Sequence, residues 1–218
     1  HNPTGVDLST EQWKAVAHVV KAGELIPFLD IAYQGFGDGL EQDAAAVRIF
    51  ADLDMTMFIS SSFSKSFSLY GERVGALTIV TGSQDEANRV LSQVKRVIRT
   101  NYSNPPTHGG TIVSTVLNTP ELFAMWDQEL AGMRDRIRLM RHQIVEKLAQ
   151  YGAKQDFSFV MKQRGMFSFS GMTAAQVERL RTDYGIYAVS SGRICVAALN
   201  SKNIDVVAKA MAEVMKNA

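Results

Sequence analysis

The 218-residue sequence is 46% hydrophobic and 9% aromatic, enough apolar material for one or two folded domains, which excludes a disordered chain. With 23 basic and 22 acidic residues its net charge is +1, so composition gives no reason to expect a nucleic-acid or membrane partner. Its one cysteine, Cys195, excludes an internal disulfide and fits a reducing, cytoplasmic location.

The chain begins with the turn-forming residues His1-Asn2-Pro3-Thr4-Gly5, which normally lie between two structural elements. We therefore expect the chain to be a fragment or a processed product of a longer protein.

The next hundred residues alternate between helical and strand patterns. Ser9 is the predicted N-cap of a helix that ends at Gly23. Strands are predicted over 25–31, 55–60 and 74–81, and helices over 41–52 and 84–99. This alternation predicts an α/β layer with a mostly parallel sheet.

Asn104-Pro105-Pro106 interrupts the pattern, and a long helix is predicted over 120–150 as a connector between two domains. Beyond it we predict strands over 157–161, over 166–170 and near Ile186 and Arg193, with helices over 173–183 and 203–216. The sequence thus predicts a large domain over 1–130 and a smaller α+β domain over 131–218.

One lysine, Lys65, lies among hydroxyls in the segment Ser60-Ser61-Ser62-Phe63-Ser64-Lys65-Ser66, and Arg73 follows eight residues later. Neutral lysine amines react with aldehydes, and hydroxyls together with a guanidinium can bind a phosphate. An aldehyde and a phosphate on one small molecule describe pyridoxal 5′-phosphate.

Two other kinds of site fit the residues less well. Ser62-x-x-Lys65 matches the S-x-x-K pattern of penicillin-binding serine enzymes, but the S-D-N and K-T-G triplets of those enzymes are absent from the sequence. A metal site is not predicted, because the four histidines are scattered and Cys195 has no neighbouring ligand.

Asp30 ends a strand that we predict to be buried, at the sheet edge where ligands bind in open α/β folds. A carboxylate there can pair with a protonated pyridine nitrogen, and Tyr33 could reach the phenolic oxygen of the same cofactor. An aspartate that caps a turn is an equally good interpretation.

Arg193 follows a glycine turn and opens an apolar strand, where its fork could bind a carboxylate in bidentate fashion. Arg99 lies at a predicted helix C-terminus, which the helix dipole alone would favour. From the residues alone, an ordinary surface arginine is the simpler interpretation of both.

Taken in order, seven motifs resemble the C-terminal half of a fold-type I, class I aminotransferase of the aspartate and aromatic amino acid branch. They are His1-Asn2-Pro3-Thr4-Gly5, Asp30-Ile31-Ala32-Tyr33-Gln34-Gly35-Phe36, Ser62-x-x-Lys65, Gly71-Glu72-Arg73-Val74-Gly75, Tyr102-Ser103-Asn104-Pro105-Pro106, Gly165-Met166-Phe167-Ser168-Phe169 and Gly192-Arg193. The resemblance implies part of a three-layer large domain with a mostly parallel sheet, joined by a long helix to the smaller domain.

The resemblance also implies the roles of residues toward pyridoxal 5′-phosphate. Lys65 would bond covalently to the aldehyde and later move a proton. Asp30 would pair with the pyridinium nitrogen. Other contacts would come from residues that bind the 3′-oxygen or the phosphate: Asn2, Tyr33, Ser62, Ser64 and Arg73.

For substrates, the resemblance implies an amino acid and 2-oxoglutarate as the 2-oxo acid. Arg193 would bind the α-carboxylate, with Asn2 and Phe167 beside it. Arg99 would reach into the neighbouring subunit of a homodimer and bind a side-chain carboxylate. Cys195 departs from the aspartate branch and is closer to the aromatic branch. Ala198 departs from the usual family pattern, which has glycine at this position.

In the family, the glycine-rich phosphate loop and the aromatic that stacks on the cofactor lie in the preceding half. We therefore expect weak or no activity from residues 1–218 alone. Two alternatives stay open: a β-lyase or decarboxylase on the same scaffold, and a non-catalytic interaction module derived from an aminotransferase.

Overall fold

The computed structural model describes residues 1–216, which form two compact units. The central unit comprises Leu8–Gly35 and Gly39–Leu130. The C-terminal unit comprises His1–Asp7, Phe36–Asp38 and the chain from Ala131 onward. The boundary at residue 130 falls within one long helix.

The central unit combines helices with a three-stranded sheet of order β1-β2-β3. Its elements are α1 (Thr10–Ala22), β1 (Phe28–Ile31), α2 (Leu40–Asp43), α3 (Ala45–Ala51), β2 (Met57–Ser62), β3 (Gly75–Val80), α4 (Gln84–Tyr102), α5 (His108–Asn118) and the start of α6 (Pro120–Gln150). β1 and β2 are parallel, whereas β3 runs antiparallel to β2. The expected mixture of helices and strands is confirmed.

Local signals in the sequence set several of these boundaries. Ser9 is the N-cap of α1, as predicted, and forms a capping box with Gln12. The helix predicted over 41–52 is instead two short helices, separated at Ala44. Helix α5 was not predicted at all, and it is capped by Thr107 without a side-chain hydrogen bond.

Burial in the sheet differs from the prediction for its first strand. The core of the unit contains Ala17, Phe50, Met57 and Ile59, which are at most 7% exposed. Phe28, on β1, is 67% exposed. The prediction of a buried strand over 25–31 was therefore wrong for the described chain, because β1 is an edge strand that pairs with β2 on one side.

The C-terminal unit combines helices with a two-stranded antiparallel sheet. Its elements are the rest of α6, α7 (Phe159–Lys162), β4 (Phe167–Phe169), α8 (Ala174–Tyr184), β5 (Arg193–Cys195), a 3-10 turn (Val196–Ala198) and α9 (Ile204–Lys216). The strand predicted over 157–161 is mostly the short helix α7, and Ile186 lies in irregular backbone.

Helix α6 is 31 residues long, as the sequence predicted. Three apolar residues of its second half, Ile137, Ile144 and Leu148, are at most 3% exposed and form part of the core of the C-terminal unit. Among residues 1–216, no helix combines the length and apolar character needed to cross a membrane.

Candidate active site

Asp30 and Ser60 lie opposite each other on the parallel strands β1 and β2. The Ser60 hydroxyl donates a hydrogen bond to Asp30 Oδ1 at 2.8 Å. Asp30 is exposed, so its carboxylate is accessible to a ligand as well as to Ser60. The sequence predicted a role for Asp30 but none for Ser60, whose partner depends on strand register.

Lys65 follows the end of β2 by three residues. Its Nζ lies 4.8 Å from the centre of the Tyr33 ring and 5.9 Å from the centre of the Tyr70 ring. Tyr33 was predicted to contact the phenolic oxygen of the cofactor, whereas no role was predicted for Tyr70. The two rings place electron-rich faces near the amine.

The loop that carries Lys65 is fixed by the start of α6. Trp126 Nε1 donates to the Ser66 carbonyl at 2.7 Å, and its ring stacks on Phe67 at 4.5 Å between centres. Ser64 and Ser66 are 7% and 8% exposed. Because these contacts join residues 60 positions apart, the sequence could not show that Trp126 holds this loop.

Of the predicted phosphate-binding residues, Ser62 and Ser64 are neighbours: the Ser64 backbone N–H donates to the Ser62 hydroxyl at 3.3 Å. Arg73 Nη1 donates to the Tyr70 carbonyl at 2.9 Å. The φ of Arg73 is +54°, in the left-handed region that non-glycine residues seldom adopt. Residues held in such sparsely populated conformations cluster at active sites.

Helix α5 supports the segment around Arg73 by close approach at Gly109. A Cβ on Gly109 would lie 3.0 Å from Cβ of Glu72 and 3.2 Å from Val74. The glycine therefore allows the first turn of α5 to lie against the residues on either side of Arg73.

In the C-terminal unit, the structure brings together three of the four predicted substrate-binding residues. Arg193 Nη1 donates to Asn2 Oδ1 at 3.0 Å, and the Arg193 guanidinium carbon lies 4.8 Å from the centre of the Phe167 ring. β4 and β5 fix this arrangement, since Phe167 pairs with Cys195 and Phe169 with Arg193 in the antiparallel ladder.

Arg99 lies in the last turn of α4 and is exposed. Its guanidinium donates to the Ser103 hydroxyl within the same chain. The structure therefore shows a local partner for this arginine, while the predicted contact with a second subunit stays a prediction.

Two further observations concern metal ligands and cavities in the described residues. Residues 1–216 contain no group of three or more side chains able to hold a metal ion. A cavity of about 430 Å³ in the C-terminal unit is lined mainly by charged and polar groups, which are Asp38, Arg138, Arg141, His142, Lys162, Gln163 and Arg164 together with Met161. None of the predicted site residues lines that cavity.

Comparison with known proteins decides the family. Residues 1–211 match the sequence profile of the family described as aminotransferase class I and II. The chain belongs to this family.

Relatives in the family come from both branches named above. An aspartate aminotransferase of Pseudomonas aeruginosa is 69% identical over 215 residues, and an aromatic-amino-acid aminotransferase of Escherichia coli K12 is 52% identical over 215 residues. Both alignments cover 99% of this chain and 54% of the relative. The chain thus spans about half the length of the curated relatives that it matches.

A solved structure agrees with these relatives. The aromatic-amino-acid aminotransferase of Burkholderia pseudomallei superposes with a TM-score of 0.97 at 69% identity, over 99% of this chain and 54% of that chain. That protein is described as covalently bound to pyridoxal phosphate. The comparison confirms the predicted aminotransferase family and its mixed α/β fold.

Proposed function

We propose that the protein containing this chain uses pyridoxal 5′-phosphate to transfer an amino group between an aromatic or acidic L-amino acid and 2-oxoglutarate. When bound, that cofactor supplies an aldehyde for covalent attachment and a ring that accepts electrons from the substrate. The residues of the chain would bind, orient and move protons around it.

The observation that carries this proposal is the arrangement of Asp30 and Lys65. β1 and β2 are parallel, so their carboxyl ends lie at the same edge of the sheet. Asp30 lies near the end of β1, and Lys65 follows the end of β2. Ligands of open α/β sheets bind at such an edge.

The donor and acceptor groups of the central unit fit the cofactor. The Asp30 carboxylate suits a protonated ring nitrogen, and the hydrogen bond from Ser60 orients it. Lys65 supplies the amine, with the Tyr33 ring beside it. The hydroxyls of Ser62 and Ser64, with the guanidinium of Arg73, suit a phosphate. We propose these roles for the five residues, together with contact of Asn2 and Tyr33 with the phenolic oxygen.

The arginine of the C-terminal unit suits a substrate carboxylate. Arg193 is oriented by Asn2 and by the face of Phe167. A guanidinium that is already oriented loses less freedom when it binds a carboxylate fork. Arg99 would bind a second carboxylate, which would account for the use of 2-oxoglutarate.

We also propose a homodimer in which Arg99 serves the partner's site, in the cytoplasm. The large and small domains of the whole protein would divide near residue 130. Activity is proposed for the whole protein, and residues 1–218 alone are expected to transaminate weakly or not at all.

The test is chemical labelling of the lysine. The full-length protein would be incubated with pyridoxal 5′-phosphate, reduced with borohydride and digested, and the mass of each lysine peptide measured. We expect the cofactor mass on the peptide containing Lys65, and conversion of tyrosine or aspartate with 2-oxoglutarate by the unreduced protein.

Two variants make the labelling specific. Lys65→Ala should abolish both the label and transamination, whereas Lys95→Ala, at an exposed position on α4, should retain both. A cofactor mass confined to other lysines, or full activity of Lys65→Ala, would show that the proposed function is wrong.

A further inference from the structure

Arg141, on α6, is an arginine in the core of the C-terminal unit. It is 1% exposed, among the most buried side chains of the described chain. Its guanidinium donates to four backbone carbonyls, those of Val160 at 3.1 Å, Arg164 at 3.1 Å, Gly165 at 2.7 Å and Phe167 at 2.6 Å. A fifth, longer hydrogen bond reaches the Ser168 hydroxyl at 3.4 Å.

All five acceptors are uncharged, so carbonyl dipoles rather than a carboxylate compensate this buried cation. Burial lowers the pKa of Arg141 to about 10, which still leaves it charged at neutral pH. A guanidinium can satisfy several carbonyls because its donors point in fixed directions. A lysine ammonium has fewer donors, and an apolar residue has none.

The five acceptors all belong to the segment 160–168, which runs from within α7 into β4. This segment also contacts the first residues of the chain. The Arg164 backbone N–H donates to the Gly5 carbonyl at 2.8 Å, and a Cβ on Gly5 would lie 2.5 Å from the Phe167 carbonyl oxygen. The carbonyl of Phe167 is thus held by Arg141 on one side and approached by Gly5 on the other.

These contacts join Arg141 to the proposed carboxylate-binding group. The backbone that Arg141 holds carries the Phe167 ring, over which Arg193 lies. The opening segment that contains Gly5 also carries Asn2, which accepts a hydrogen bond from Arg193. A shift of residues 160–168 would therefore move both groups that orient the Arg193 guanidinium.

We propose that Arg141 is a positioning residue for substrate carboxylate binding, which acts by fixing the backbone of residues 160–168 and, through Phe167 and Asn2, the orientation of Arg193. This inference rests on the proposed function for the role of Arg193. It adds a residue that contacts neither substrate nor cofactor.

The test compares Arg141→Met and Arg141→Lys with the unchanged full-length protein loaded with cofactor. Succinate, an unreactive dicarboxylate, is titrated by calorimetry, and kcat and KM are measured with 2-oxoglutarate. We expect a dissociation constant and a KM about tenfold higher in Arg141→Met and severalfold higher in Arg141→Lys. Values of kcat should stay within about threefold, and borohydride labelling of Lys65 should be unchanged.

The matched control is Arg136→Met. Arg136 lies on the same helix and also donates to two carbonyls, those of Leu199 and Ala197, both at 2.8 Å. Those carbonyls lie outside the segment 160–168. Succinate affinity in this variant should match that of the unchanged protein within about twofold.

Each result has a defined meaning. Unchanged succinate affinity in both Arg141 variants, equal losses in Arg136→Met, or parallel losses of affinity, kcat and Lys65 labelling would overturn the inference. Failure of both variants to fold would also overturn it, since the residue would then be a general stability element. Absence of labelling and transamination in the unchanged protein would instead count against the proposed function.

Discussion

The guanidinium of Arg193 donates a hydrogen bond at 3.0 Å to the side-chain oxygen of Asn2, a residue 191 positions earlier in the chain. The contact joins β5 to the opening turn of the C-terminal unit. Because the amide oxygen of Asn2 is neutral, it can orient the guanidinium without neutralising the charge that a substrate carboxylate would need.

Replacement Asn2→Asp tests this relationship, since it adds a carboxylate of the same size beside Arg193. Two unit charges about 4 Å apart interact by about 1 kcal/mol in water and by about 4 kcal/mol at an effective dielectric constant of 20. The new carboxylate would compete with the substrate, and we expect KM for 2-oxoglutarate to rise at least fivefold. Added salt should reduce the effect.

Asn2→Ala serves as the comparison, because it removes the hydrogen bond and adds no charge. It should raise KM less than Asn2→Asp does, with little dependence on salt. Equal KM values for the two variants at low salt would contradict an electrostatic competition at Arg193. Lys65 labelling, measured in both, shows whether the cofactor site is intact.

A second prediction concerns Asp30 and its hydrogen-bond partner Ser60. In Asp30→Asn the negative charge is lost, so affinity for pyridoxal 5′-phosphate should fall at least tenfold, as measured by cofactor titration. Ser60→Ala removes the hydrogen bond but leaves the charge, and should weaken the cofactor less than fivefold. Asp30 is exposed, so Asp30→Asn should change the free energy of unfolding by less than about 0.5 kcal/mol. Equal cofactor losses would argue against an ion pair at Asp30.

A third prediction concerns the backbone at Gly5. Its φ is +79°, and a Cβ there would lie 2.5 Å from the Phe167 carbonyl oxygen. A left-handed residue with a Cβ costs about 1–2 kcal/mol, and overpacking typically adds 1–3 kcal/mol. Gly5→Ala should therefore lower the free energy of unfolding in urea by at least about 2 kcal/mol.

Gly185→Ala separates these two contributions. Gly185 has a φ of +65° at the end of α8, and a Cβ there would meet nothing within 4 Å. It should show only the conformational cost, about 1–2 kcal/mol. If Gly185→Ala destabilises the protein as much as Gly5→Ala, close approach to Phe167 is not the cause.

Local sequence signals predicted elements whose ends are capped locally. Ser9 with Gln12 and Thr173 with Gln176 both form capping boxes, and the helices follow them as predicted. Helix α5 was missed because Gly109 and Gly110 have low helix propensity, whereas packing against Val74 stabilises the helix in the fold.

The chemical groups of the candidate site were predicted better than the residues that hold them. Lys65, Asp30 and Arg193 carry distinctive functional groups in recognisable motifs. Trp126 and Arg141 act through contacts with distant backbone carbonyls, and each lies in an ordinary amphipathic helical pattern. Which carbonyl a side chain reaches depends on tertiary packing, so spacing along the chain gives no sign of it.

The last prediction concerns Asp205, in the first turn of α9. Two groups donate hydrogen bonds to its carboxylate: Lys147 Nζ at 2.6 Å and the Tyr151 hydroxyl at 2.9 Å. These hydrogen bonds, the one from Lys147 first, lower the pKa of Asp205 below its usual range. A carboxyl with a lowered folded-state pKa stabilises the protein above its unfolded pKa of about 3.9, and this contribution is lost as pH falls through the folded value.

Asp205→Asn should consequently lower the urea midpoint of unfolding at pH 7. The difference in midpoint between the variant and the unchanged protein should shrink as pH falls below about 4. The same hydrogen bond raises the pKa of Lys147. The contribution of this pair to the free energy of unfolding is therefore also lost at high pH, as pH rises through the folded pKa of Lys147. Asp183→Asn, which breaks an exposed i,i+4 pair with Arg179, should shift the midpoint less, because such pairs contribute only about 0.3–0.5 kcal/mol. A difference for Asp205→Asn that stays constant from pH 7 down to pH 3 would mean that its charge does not stabilise the junction of α6 and α9.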